Sequence, residues 1–536
     1  WDVGTTWDSG VVPDNLTNVA VNGGFAVEVR SDGNPNQAGS LTISESGSVD
    51  INPGAQLNAG GVSIGGATLR IGGNASVGTA NLLSGGQLQF YGVGQLTADS
   101  MSLNGALAFD AGTSATITVN TRLDVLADAN VSGQTFNVAT AAVNLLGGTL
   151  TSNGDMAVST LNPSGGSLDL GGHSARISNT LGVGGNSTVD PAQTLLTGAS
   201  SGPIPTISLN SGTLTYNAPM EANTVNAGGG GLNLSDNNLT VNNTLTVTAG
   251  FDARNTTLVV PNATVNLNGG TLTYDRALSV NNVNGNGGSL NMQALQLNVT
   301  GRLTVNDTRV LSTTGPITTN ALTLNGSGTL NANGYEVEIT GGGSHGGSSG
   351  AISISGAGGS VRFSGAGTLN VGTLSFTNAG DRTLGGAMLP AGSQVETVVA
   401  LAGSTLTSSP VVTGSDYTVS GGTANVGHDM GTGRVDSGTL NLTADISAAT
   451  IKQAGGAVRL LNGSVPSVDF VNLTGGTFDT GTQAVEVNTL KLGTLVFAAS
   501  STPIRASGAD LLGGPRNITL LGGTVHIQDN NAYTMN

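Results

Sequence analysis

Cysteine is absent from all 536 residues, which excludes a disulfide framework. A chain this long can bury enough apolar surface without cross-links, so the absence decides nothing about export. Charge is scarce: 9% of residues are charged, with 32 acidic against 16 basic, for a net charge of −16. No basic cluster occurs, and a phosphate backbone needs Lys and Arg, so nucleic acid is excluded as a partner. Aromatics make up 3% of the chain, too few for an ordinary globular core. No run of about 18 apolar residues is present, so no membrane-spanning helix is expected. The chain begins at Trp1 rather than Met, which suggests a processed or trimmed N-terminus.

What is abundant is glycine, with 86 residues, and small apolar side chains. The glycines follow no every-third-residue rule, which excludes collagen. Hydrophobic residues make up 37% of the chain beside low charge, which argues against disorder. A core built mostly from Val, Leu, Ile and Ala must be thin, repetitive and close-packed.

Internal repetition decides the fold class. Ser211–Asn268 aligns without a gap on Gly269–Gly326 through its first segments, matching Thr213/Thr271, Leu214/Leu272, Tyr216/Tyr274, Val225/Val283, Leu232/Leu290, Leu239/Leu297 and Leu245/Leu303. Gly147–Asn210 joins the set through Leu150, Met156, Leu161, Leu168 and Leu170, and runs longer through Asp190–Pro205. A weaker copy covers 85–146, and looser coils cover 327–536. Each copy of about 58–64 residues contains smaller units of about 20, the length of one solenoid coil. Segments such as LTVNNTLTV alternate apolar and polar residues, the period of a half-buried strand. Gly-Gly, Asn-Gly and Ser-Gly between them supply tight corners. No helical period appears. The expected fold is all-β, a right-handed parallel β-helix (β-solenoid) of about 20-residue coils and roughly 25 turns. An opening segment spans 1–40 and a continuous solenoid 41–536. The inward positions are expected at Leu150, Leu214 and Leu272, and at Leu168, Leu232 and Leu290. Asn223, Asn226, Asn281 and Asn284 either stack in hydrogen-bonded ladders or cap turns.

The opening segment holds both tryptophans, Trp1-Asp2 and Trp7-Asp8, then Pro13, followed by strands through Leu41, Ile43, Val49, Ile51 and Leu57. This pattern resembles large exported bacterial proteins with autotransporter-type β-strand repeats, many of which carry a C-terminal exosortase sorting signal. The final NNAYTMN departs from that family, having neither sorting signal nor membrane-barrel strands. The resemblance implies display or release outside the cell, and no reaction.

Catalytic β-helices need acidic pairs with Arg or Lys on one face of neighbouring coils. Arg70, Arg122, Arg176, Arg254, Arg276 and Arg302 stand isolated in sequence, and Asp110, Asp124, Asp128, Asp155 and Asp169 read as scattered turn residues. His173, His345, His428 and His526 show no metal-ligand spacing; His428 beside Asp429 and Asp436 comes nearest. GGGSHGGSSG at 341–350 lacks the GK[ST] of a phosphate loop and reads as a flexible protruding loop. No calcium-binding nonapeptide occurs. Asn-x-Ser/Thr triplets are plentiful, as expected by chance in a chain of this composition.

These observations lead to an extracellular or cell-surface structural protein, not an enzyme, with no cofactor and no metal. Its expected partner is itself, in a head-to-tail homopolymer forming a filament, sheath or matrix. The alternatives are a monomeric surface adhesin or autotransporter-like passenger, with cell-surface polysaccharide as partner, and a carbohydrate-active β-helix enzyme. Trp1, Trp7 and Pro13 are the candidate assembly contacts, anchors in a neighbouring copy or plugs of their own first coil.

Overall fold

A computed structural model describes residues 12–31, 34–306, 309–355, 360–377, 380–384, 393–408, 415–444, 446–461 and 467–479. It also describes the backbone of the strands Val485–Leu492, Leu495–Phe497, Ile504–Ala506, Ala509–Leu511, Ile518–Leu520 and Val525–Ile527. The fold is a β-solenoid, nearly all parallel strand and about 1% helix, with coils about 20 residues apart. It makes roughly 21 turns rather than 25, because some coils carry extra residues. The chain divides into two compact units, Trp1–Ala263 and Thr264–Asn536.

In the first unit most coils contribute one long and one short strand. Thr116–Val125, Thr135–Leu145, Met156–Pro163 and His173–Val183 stack as long strands, each pairing in parallel with the next. The short strands Thr149–Thr151 and Ser167–Asp169 stack beside them. A register break near the middle of each long strand bends it, so that one coil presents three faces. The longer stretch at Asp190–Pro205 is absorbed at this break. There, His173–Val183 pairs with Thr194–Gly198 through its first half and with Ile204–Leu209 through its second, and the 3-10 turn Ala199–Ser201 sits between.

Alternation explains the core. Asn238–Val247 buries every second residue within each half, and stacking places like on like. Leu123, Val143, Leu161, Leu181, Ile207, Val225 and Leu245 are consecutive register partners and all fully buried. Leu150 and Leu168 pair with each other and are buried, as are Leu214 and Leu232. The second unit repeats the arrangement, with Leu272 on Leu290, and Leu311, Leu330, Ile352, Leu374 and Val398 in one column. The six leucines expected inward are all inward.

The outer polar residues stack too. In the second unit Asn286 donates to Asn268 at 2.7 Å, Asn306 to Asn286, and Asn325 to Asn306 at 2.7 Å. Asn284 donates to Asn266 at 2.8 Å, and Asn223 accepts from Asn242 at 3.4 Å. Other asparagines cap turns: Asn186 accepts from the Thr213 amide and Asn282 from the Arg302 amide. Both roles therefore occur, ladder and cap.

One expectation is overturned. The stretch at 341–350 is mostly strand, as part of Gly343–Ser355, which pairs with Gly367–Thr377. Pairing with neighbouring coils overrides the weak strand preference of its glycines. His345 there lies in register with Leu369 and is 4% exposed. Its Nδ1 accepts from the Leu322 amide at 3.4 Å and its Nε2 donates to the Gly341 carbonyl at 3.2 Å.

Candidate functional site

The first described coil is paired on one side among the described residues. Asn18–Val21 pairs with Ser40–Ser44 and Ala26–Val29 with Ser48–Ile51; among the described residues neither strand pairs on its other side. The turn before Asn18–Val21 is fixed by Asp14, whose carboxylate accepts from the Thr17 hydroxyl at 2.7 Å and the Leu16 amide at 3.0 Å. These bonds, the Thr17 hydroxyl first, hold the Asp14 carboxyl below its ordinary value. Around these strands apolar side chains reach solvent: Leu16 is 84% and Phe25 73% exposed. Of the three candidate assembly contacts, Pro13 is buried beside this turn; Trp1 and Trp7 lie outside the described residues.

A polar cluster crosses the short-strand face of the same unit. Glu28, Asp50, Arg70 and Gln89 are successive register partners. Arg70 donates to Asp50 at 3.0 Å, lies 3.5 Å from Asp110, and stacks 4.8 Å above the Tyr91 ring. The Tyr91 hydroxyl donates to Asp50 at 2.6 Å, and Gln89 donates to Asp110 at 2.5 Å. Burial first, and then the Asp50 carboxylate, raises the Tyr91 hydroxyl above its ordinary range. Two carboxylates, one guanidinium and one phenol thus meet across several coils. Each carboxylate is held by donors, which suits a rivet better than proton exchange with a substrate.

The isolation of the basic residues is corrected in the same way. Arg122 bonds Asp124 at 2.9 Å, Arg176 bonds Asp155 at 2.6 Å and Arg254 bonds Asp252 at 2.5 Å. Arg276 lies 4.0 Å from Asp275, and Arg302 donates to the Thr323 hydroxyl at 2.9 Å. The reason is geometric: residues one coil apart, or two apart on one strand face, become neighbours. The aspartates act locally. Asp128 accepts from the Thr149 amide and Asp169 from the Gly171 amide. Asp155 accepts from the Ser174 amide at 2.9 Å, the main reason its carboxyl is held below the ordinary value.

The histidines do not converge. His173 is exposed, 3.6 Å from Asp155. His428 is buried, with Nε2 3.2 Å from the Tyr417 hydroxyl and Nδ1 2.8 Å from the Asp429 carbonyl, not from a carboxylate. Burial lowers its basicity, with the Asp429 carbonyl and charge opposing, and raises the Tyr417 hydroxyl. His526 lies on the strand Val525–Ile527, opposite Arg505. Among the described residues no group of three or more His, Asp or Glu could hold a metal ion, and no helix is long and apolar enough to cross a membrane.

A signal for the Asp50 cluster was present in the sequence: Asp50, Arg70, Tyr91 and Asp110 fall about one coil length apart. The chain matches no protein-family model, no curated protein and no solved structure.

Proposed function

We propose that the protein is an extracellular structural protein, a subunit of a filament, sheath or matrix that assembles head to tail with copies of itself. The observation that carries this reading is the exposure of Leu16 and Phe25 beside Asn18–Val21 and Ala26–Val29, strands that pair on one side only among the described residues. An edge strand templates further pairing, and a heterologous contact that does not close generates a fibre. The extracellular setting draws its support from the resemblance of the opening segment to exported bacterial surface proteins.

The test is electron microscopy of the full chain beside the Leu16→Lys/Phe25→Lys variant. Fibres from the native chain, shortened or lost in the variant, are the expected result. Single particles from the native chain at every concentration would overturn the reading.

A second reading, a surface adhesin that binds polysaccharide, is favoured by the uncharged hydroxyl face described below. The hydrolase alternative is disfavoured by the Asp50 cluster itself, whose carboxylates are already bonded by Arg70, Tyr91 and Gln89.

A further inference from the structure

Beyond the register break, the second halves of the long strands in the first unit carry a grid of polar side chains. Thr160, Thr180, Thr206, Thr224 and Thr244 are consecutive register partners, one per coil. Two residues further along the same strands stand Asn162, Gly182, Ser208, Asn226 and Thr246. Parallel pairing sets the rows about 4.8 Å apart, and two-residue steps set the columns about 6.6 Å apart. None of the ten positions carries a charge, in a chain whose net charge is −16.

The hydroxyls of this grid are unspent. Among the described residues no hydrogen-bond partner is found for the five threonine side chains, nor for those of Ser208, Asn226 and Thr246. Asn162 is the exception: it donates to Asn144 and so ends the run Arg122–Asp124–Asn144 on the coils before it. A hydroxyl both donates and accepts, and β-branched threonine on a paired strand is stiff at χ1, so the grid is ordered before any ligand arrives. Its methyl groups add apolar contact between the hydroxyls.

A second feature adjoins it. Past the Ser164–Gly166 corner, on the same coils, lies an open groove of about 500 Å³. It is lined by Ser167, Asn186, Ser187, Thr188, Thr213 and Thr215 with three glycines, and by no charged or aromatic residue. Ligand pockets for apolar molecules are lined mostly by hydrophobic side chains. This lining selects a polar, uncharged ligand that replaces water bond for bond.

We propose that this face and its groove bind a neutral, hydroxyl-rich linear polysaccharide, laid along the stack so that successive sugars meet successive coils. The extracellular setting is where such a polymer is met; filament formation is not required, and imaging fibres separately keeps the two ideas distinguishable.

The test uses the full chain in co-sedimentation with microcrystalline cellulose, chitin and starch granules, and in gel shift with alginate as the anionic comparison. Three variants accompany it: Thr206→Glu/Thr224→Glu, Thr206→Val/Thr224→Val, and Thr42→Glu, which places the same charge on an outward position of a distant coil. Circular dichroism melting confirms folding. Binding to at least one neutral glycan is expected, falling at least tenfold in the Glu pair and at least threefold in the Val pair, and unchanged in Thr42→Glu. If the Glu pair fails to fold, the Val pair decides. Binding to alginate alone, binding to no neutral glycan, or binding that survives in the folded double variants overturns the proposal.

Discussion

Leu272 is fully buried and in register with Leu290, in a core only a few side chains wide. Leu272→Asp puts a charge where no partner can reach it, and is expected to cost about 4 kcal/mol or more. Because contacts in a solenoid are local, hydrogen exchange should show protection lost first in the adjoining coils. A melting curve unchanged by the substitution would remove Leu272 from the core. His428 makes a different kind of residue-scale prediction. Burial holds the folded imidazole below its ordinary value, which is about 6.5. As pH falls, the unfolded chain therefore takes up this proton before the folded one does. The contribution of this group is fully present above the unfolded value and is lost as pH drops from there through the folded value. The melting temperature of the native chain should fall on acidification through that window, and His428→Asn should flatten this part of the profile. An identical profile in the variant would show that the imidazole does not titrate differently in the two states.

At the scale of elements, the corners and ladders are where the repeat becomes quantitative. Gly171–Gly172, Ser235–Asp236 and Gln293–Ala294 occupy one corner in three successive copies, and all six residues have positive φ. The Gly172, Asp236 and Ala294 amides donate to the carbonyls of Gln193, Asn255 and Thr314 in turn. A left-handed conformation costs a non-glycine residue about 1–2 kcal/mol, more than the backbone freedom glycine gives up on folding. Ala294→Gly is thus expected to stabilise by about 0.5 kcal/mol in urea unfolding, and Gly172→Ala to destabilise by about 1 kcal/mol. Opposite signs would mean that these corners are not equivalent. Asn286 both gives to Asn268 and takes from Asn306, so Asn286→Ala should cost about 1–2 kcal/mol. The buried columns at these repeats were legible in the sequence because Leu214, Leu272 and their like recur in type as well as position. The ladders and ion pairs were not. Asp50, Arg70 and Asp110 share a coil-length spacing but differ in chemistry, so an alignment of like residues passes over them. Bulges such as the one between Val158 and Thr160 also shift register within a coil, which hides pairings from a fixed count. The stretch at 341–350 failed for another reason. Its composition reads as loop, yet strands one coil before and one coil after it supply pairing partners.

On the scale of the whole molecule, a net charge of −16 sets copies of the chain against one another and opposes the proposed joining through Asn18–Val21 and Ala26–Val29. Repulsion between exposed charges is screened over about 8 Å at physiological ionic strength and about 30 Å in dilute buffer. Fibre growth followed by light scattering is therefore expected to be faster at 150 mM than at 10 mM salt. Slower growth at the higher salt would point to attraction between charges as the driving force. The polysaccharide face, being uncharged, should show little dependence on salt. The central claim, that copies join through the ends of their stacks, makes a geometric demand on the assembled material. Head-to-tail joining through the stacks is expected to set strands across the fibre axis, with neighbouring strands about 4.8 Å apart along it. Fibre diffraction from aligned native material should then place the reflection at about 4.8 Å along the fibre axis. The same reflection lying across the axis would mean side-by-side association, and would contradict the account.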